Sequence, residues 1–222
     1  MRLHFTLSAN QQAVPFDYQH FLTGAFHKWL AQNELHDRIS LYSLGWLDGG
    51  RCVNDHLEFL RGARWFISTH DDSLLQTIVD GALIQPEVCC GMRVVEIKQQ
   101  QPPDFGPRYT FKVGSPVLAK GKPDENGKVH HYIFSDPEAD DILTATLRHK
   151  MDIAELDEQH KDVTVRFDRE YKNPKTKLVT IKGIEHRASF CPVIVEGTPE
   201  AVQFAWNVGV GNSTGSGFGS LI

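Results

Sequence analysis

The sequence predicts an α+β protein: two tandem ferredoxin-like (RRM-like, βαββαβ) domains with a C-terminal glycine-rich loop. Three observations predict it. Within residues 1–100, segments of strand and helix period follow one another in the order β-α-β-β-α-β. The second half repeats that order loosely, without repeating its letters. The 222-residue chain then ends in GVGNSTGSGFGSLI, with five glycines between positions 209 and 219.

Residues 2–8 alternate, with Leu3, Phe5 and Leu7 on one face of a strand. Pro15 opens a helix whose apolar stripe takes in Phe16, Phe21, Leu22, Ala25, Phe26, Trp29 and Leu30 and which stops near Asn33. Residues 39–47 and 57–67 read as strands, separated by the turn residues Asp48, Gly49 and Gly50. Thr69 or Asp71 caps a helix over 73–83, and 87–98 alternates again. QQQPPDFGP, 99–107, is the clearest linker, which sets domains at 1–100 and 108–222.

Beyond the linker, 109–119 and 129–134 read as a strand or hairpin broken at Gly121-Lys122-Pro123. Pro137 starts a helix that runs to about Met151. Strands are expected over 162–168, 177–182 and 187–196, and Pro199 opens the last helix.

Composition is that of an ordinary globular chain, and no apolar run is long enough to span a bilayer. MRLHFTLSA does not read as a signal peptide. Cys52, Cys89, Cys90 and Cys191 form no C-x-x-C pair, so reduced cysteines and a cytoplasmic location are expected. The net charge of −5 argues mildly against a nucleic-acid partner, but the charge is segregated. Eight acids fall in 136–160, and eight bases in 161–187: Lys161, Arg166, Arg169, Lys172, Lys175, Lys177, Lys182 and Arg187. Such a run marks either an anion-binding face or a solvated hairpin.

The tail is no Walker loop, because it has neither G-K-[ST] nor a helix behind it. It is no dinucleotide fingerprint either, because the glycines follow a helix instead of opening one. What remains is a backbone-rich loop suited to a longer phosphate chain, with Phe218, Leu221 and Ile222 pointing to a return into a sheet.

AVQFAWNVGVGNSTGSGFGSL, 201–221, together with the two βαββαβ halves, resembles the CRISPR repeat-processing endoribonucleases of the RAMP superfamily. In that family a lysine or arginine usually stands mid-loop; here Asn212, Ser213 and Thr214 stand instead. GAFHKWL…LHD, 24–37, matches the family's cleavage site, where a Tyr or His on the first helix and a His just after it do the chemistry. His27 and His36 fall on those places. A lysine often found further on is absent, and Tyr42 occupies about its position.

The resemblance implies a metal-independent endoribonuclease that cuts CRISPR repeat RNA by 2′-OH attack, leaving a 2′,3′-cyclic phosphate and a 5′-hydroxyl. It implies no cofactor and no metal. His36 and His27 would be the acid and base, in either order, with Tyr42 as a third catalytic residue. Lys28 and Arg38 would supply charge nearby. Arg169, Lys172, Lys175, Lys177 and Lys182 would hold RNA phosphates. So would the tail at Gly209, Gly211, Asn212, Ser213, Thr214, Gly215, Gly217 and Gly219. The partner is CRISPR repeat RNA, with other CRISPR effector subunits and a homodimer left open beside a monomer, and no membrane. The alternatives are a non-catalytic RNA-binding subunit of an effector complex and, more distantly, a metal-dependent phosphohydrolase suggested by His36-Asp37 and His70-Asp71.

Overall fold

The structure is a computed structural model that describes residues 1–30, 39–181 and 183–222. Its first half runs β1 (Arg2–Leu7), α1 (Gln19–Trp29), β2 (Tyr42–Leu44), β3 (Arg51–Val53), β4 (His56–Glu58), β5 (Ala63–Thr69), α2 (Ser73–Ile84) and β6 (Val94–Gln100). Four of these strands form one sheet in the order β2-β5-β1-β6, and every pair in it is antiparallel. β5 lies between β2 and β1, so α1 crosses over it. This is the split βαβ arrangement. Leu3, Phe5 and Leu7 are buried with Phe26, Trp29, Trp65, Ile67 and Ile78 in one core.

Two local readings change here. Val14 exchanges backbone hydrogen bonds with Leu57, so the chain is extended there and α1 begins at Gln19 instead of Pro15. Phe16 (45%) and Phe21 (39%) are consequently exposed, and the buried stripe is Leu22, Ala25, Phe26 and Trp29. The strand expected over 57–67 is two strands, β4 and β5, parted by a turn that Gly62 N–H closes on Phe59 O at 2.9 Å.

The second half contains β7 (Arg108–Phe111), β8 (Ala119–Pro123), β9 (Val129–Tyr132), α3 (Glu138–Ile153), β10 (Thr164–Phe167), β11 (Lys175–Ile181), β12 (Ile184–Phe190), β13 (Val193–Glu196) and α4 (Pro199–Val208). Its central sheet has the order β10-β13-β7. The fourth strand position, beside β7, is taken by the chain end. Leu221 bridges Val113, Gly114 N–H donates to Ser220 O at 2.8 Å, and Ile222 N–H donates to Lys112 O at 2.9 Å. The tail therefore returns into a sheet, as its apolar last residues suggest.

β8 pairs with β9 and β11 with β12, as two hairpins outside the sheet. The expected break at Gly121-Lys122-Pro123 is a register shift within β8. The strand expected over 187–196 divides at Cys191-Pro192, because proline has no N–H for the ladder. α4 is capped by Thr198, whose Oγ1 accepts from Ala201 N–H at 3.2 Å, with Pro199 in its first turn.

The halves meet through α4 and the chain end. Arg2, on the face of β1 opposite Leu3, is 3% exposed. Its guanidinium lies between the rings of Phe66 (4.2 Å) and Trp206 (3.9 Å) and donates to Ser68 Oγ and Leu221 O, both at 2.6 Å. A buried cation is tolerated when every donor finds an acceptor or a π face. None of the four cysteines is disulfide-bonded. Among the described residues, no helix is long and apolar enough to cross a membrane.

Candidate active site

The site is built around the tail. After α4, Gly209 turns the chain and the segment folds back on itself. Val210 N–H donates to Gly219 O at 2.9 Å, Gly219 N–H to Pro116 O at 2.9 Å, and Asn212 N–H to Leu118 O at 2.8 Å. A single 3₁₀ turn covers Thr214–Ser216. Only Asn212, Ser213, Ser216 and Ile222 of this segment have appreciable exposure.

The glycines answer to the protein's own backbone. Gly219 has φ +61° and a Cβ there would collide with Val210 O. Gly211 has φ +75° and a Cβ would lie 2.5 Å from Leu118 O. Left-handed φ and backbone at this range leave room for glycine alone. The accessible residues of the arc 212–216 are Asn212, Ser213 and Ser216, so RNA contact by the side-chain positions of Gly209, Gly211, Thr214, Gly215, Gly217 and Gly219 gives way to an internal role.

Lys150 on α3 holds the root of this arc. The residue is 3% exposed, and its ammonium donates to Thr214 Oγ1 (3.0 Å), Val208 O (3.1 Å) and Gly209 O (3.4 Å). Thr214 Oγ1 donates onward to Tyr42 O at 2.9 Å, so α3, α4, the tail and β2 share one network. The carbonyls at the C-terminus of α4 carry the negative end of its dipole, which suits a cation. Burial pushes the Lys150 amine down to about 7.

His27 lies in the last turn of α1 and is half-buried, its ring 5.3 Å from that of Phe26 in an edge contact. The Phe26 ring packs against that of Tyr42 with centroids 4.5 Å apart and planes tilted by 37°. Tyr42 in turn sits beneath Gly215, where a Cβ would be 2.9 Å from its hydroxyl. The helix that carries His27 and the 3₁₀ turn of the tail thus share one wall. Burial raises the Tyr42 pKa, against a hydrogen bond with Ser40 that lowers it. A buried phenol with a raised pKa remains protonated at neutral pH.

Tyr42 is 3% exposed, which places it as a support under the tail and not at a solvent-facing phosphate. Lys28 is exposed, but its ammonium donates to Glu87 O at 2.6 Å, at the connection after α2. His36 and Arg38 lie outside the described residues. His70-Asp71 is used structurally: the His70 ring meets Phe204 at 4.8 Å, and Asp71 accepts from Ser73 N–H and hydroxyl at 2.9 and 2.6 Å.

The basic segment divides. Arg169 is paired with the Asp140 carboxylate at 2.5 Å and donates to Asp136 O, fastening β10 to α3. Lys172, Lys175 and Lys177 are exposed, and among the described residues none has an ion pair. Lys175 and Lys177 line a groove of about 560 Å³ with Trp46, Lys112, Tyr171 and Phe190. Trp46 meets Phe190 edge-on at 5.4 Å and donates from Nε1 to Gly217 O at 2.7 Å, which joins groove and tail. Cations beside aromatic faces are what a single-stranded nucleic acid requires. Lys182 lies outside the described residues.

Sequence reasoning missed Lys150, Ser40 and Trp46. Lys150 had a signal: it stands on the buried stripe Leu143, Leu147, Lys150, Met151, where a charge needs a partner. Ser40 and Trp46 had none, because their partners are some 170 residues away in the tail.

Two ferredoxin-like halves closed by a buried glycine-rich segment define a tandem α+β protein. Residues 99–221 match the family model for CRISPR associated protein Cas6, C-terminal, and the chain belongs to that family. It is similar to a Cas6-related protein from Pyrococcus furiosus, with 19% identity, a TM-score of 0.87, and 100% of this chain and 97% of that one covered. It is also similar to a RAMP protein described as binding different RNA substrates, with 19% identity, a TM-score of 0.86 and coverages of 100% and 99%. A Cas6 product complex gives 15% identity, a TM-score of 0.66 and coverages of 100% and 98%. At these identities the likeness is one of fold. No curated protein matches the chain.

Proposed function

We propose that this chain processes CRISPR repeat RNA as a metal-independent endoribonuclease. Membership of the Cas6 family, the product complex described for one structural relative and the RNA-bound pre-cleavage complex described for another support the reading. The observation that carries it is the shared wall: His27 adjoins Phe26, whose ring packs on Tyr42 beneath Gly215.

The substrate brings its own nucleophile. A base takes the proton of the ribose 2′-OH, that oxygen attacks the adjacent phosphorus, and an acid protonates the departing 5′ oxygen. The products carry a 2′,3′-cyclic phosphate and a 5′-hydroxyl. The attacking oxygen is already beside the phosphorus, so positioning and two proton transfers suffice. His36 and His27 take the acid and base roles, in an order left open. Lys172, Lys175, Lys177 and the exposed tail residues Asn212, Ser213 and Ser216 hold the RNA backbone.

The test incubates the protein with repeat RNA, with and without a chelator, and with a 2′-deoxy nucleotide at the cut. The reading requires a chelator-resistant cut, a cyclic phosphate end and an intact deoxy substrate. A cut of the deoxy substrate, or loss of activity in chelator, rejects it.

A second reading is a non-catalytic RNA-binding subunit of an effector complex. It is favoured by the commitment of Lys28 to Glu87 O and by the burial of Tyr42, which withdraw both from the phosphate. Retained binding with no cut selects it.

A further inference from the structure

We propose that Lys120, His131 and His186 form a phosphate-binding site beside the exposed arc of the tail, taking a phosphodiester of the bound RNA. This rests on the RNA-binding reading above and adds a subsite to it.

Three strands and the tail assemble the site. Lys120 comes from β8, His131 from β9 and His186 from β12. The two imidazoles are 5.5 Å apart. Lys120 Nζ lies 3.5 Å from Ser213 Oγ, at the most exposed point of the arc, and its backbone N–H donates to Asn212 Oδ1 at 2.8 Å. His186 meets the ring of Phe218 edge-on at 5.7 Å. Both hairpins are therefore registered on the tail.

The charge is unbalanced. Among the described residues, none of the three has a carboxylate partner. Burial lowers the pKa of all three groups. Lys120 lowers both histidines further; His130 adds to this at His131, and His131 at His186. The backbone N–H of Arg187 donates to His131 Nδ1 at 3.4 Å. Asp136 and Glu138 line a neighbouring pocket with His130, His131 and Arg187. The Asp136 carboxylate is occupied by Ile133 N–H and the Ser135 hydroxyl. The lowered pKa values leave both imidazoles neutral at neutral pH, and a bound anion favours their protonated forms.

His186 Nδ1 is buried with no hydrogen-bond partner among the described residues. A buried donor without an acceptor is unfavourable, so the neutral ring places its proton on Nε2, a donor suited to a phosphate oxygen. Binding a phosphate raises the histidine pKa values, takes up protons and so strengthens as pH falls.

The test measures Kd for repeat RNA carrying a 2′-deoxy nucleotide at the cut, which removes cleavage from the readout. Wild type, Lys120→Gln, Lys120→Arg and the double variant His131→Gln/His186→Gln are compared across salt and pH, with thermal melting as the control for folding. Lys120→Gln is expected to weaken binding about tenfold at low salt and to lower the slope of log K against log salt by about 0.7, while Lys120→Arg restores both. The double variant is expected to lose the tightening between about pH 8 and about pH 6 and to match wild type at the upper end. Variants with wild-type affinity and slopes overturn the site while leaving the RNA reading intact. Wild-type protein that binds no repeat RNA overturns both.

Discussion

Lys150 donates to Thr214 Oγ1 at 3.0 Å, and Thr214 donates in turn to the carbonyl of Tyr42. One buried ammonium therefore joins a helix of the second half, the tail and a strand of the first half. Burial pushes its amine down to about 7 from 10.5. Across that window the unfolded chain keeps a proton that the folded chain has lost, so this group makes stability rise with pH. Lys150→Met abolishes the contribution. Relative to wild type, the Tm of Lys150→Met is expected to fall as pH is raised from about 6 to about 9. A pH-independent difference in melting curves rejects this role.

Gly219 and Gly211 combine left-handed φ with backbone oxygens where a Cβ would go. Gly219→Ala and Gly211→Ala are each expected to cost about 3 kcal/mol in denaturant unfolding, from backbone strain and displaced neighbours. Ser213→Ala, on the exposed arc, is expected to stay within about 0.5 kcal/mol. Glycine variants as stable as wild type would show that the segment repacks freely.

Arg169 and the three lysines are expected to separate in RNA-binding measurements. Replacing Lys172, Lys175 and Lys177 together by Ala lowers the salt slope by about 2, at roughly 0.7 for each phosphate released from a single strand. Arg169→Ala leaves that slope unchanged and costs about 1 kcal/mol or less, because its pair with Asp140 is partly exposed and screened. Equal effects on RNA binding would place Arg169 on the RNA face.

His36→Ala and His27→Ala are each expected to slow single-turnover cleavage by ~10²–10⁴-fold with little change in Kd, the range typical of general acid–base catalysis. Tyr42→Phe keeps the ring packed on Phe26 and is expected to lose far less than either. A loss as large as that of His36→Ala would return Tyr42 to the catalytic group.

Much of the fold was legible in short-range pattern. Leu3, Phe5 and Leu7 alternate because one face of β1 is buried, and Leu22, Ala25, Phe26 and Trp29 recur because one face of α1 is. The misreadings have local causes as well. The expected helix start at Pro15 is too early, because nothing in the neighbourhood reveals Leu57 as the partner of Val14, and a tight turn at Gly62 is hidden within the stretch read as one strand.

The candidate site was legible only in part. His27 and the glycine segment stand out by residue type. The commitment of Lys28 to Glu87, of Arg169 to Asp140 and of Tyr42 to the underside of Gly215 depends on partners far off in the chain.

By itself the sequence determined the two βαββαβ halves, the glycine-rich end and its return into a sheet, because periodicity and turn chemistry record which face of each element is dry. Tertiary structure alone decided that the tail is mostly internal, that Lys150 anchors it, and that Lys120, His131 and His186 converge beside Ser213. Hairpin register and the docking of the two halves set those meetings. Such contacts join residues tens to more than a hundred positions apart and leave no trace in any local window.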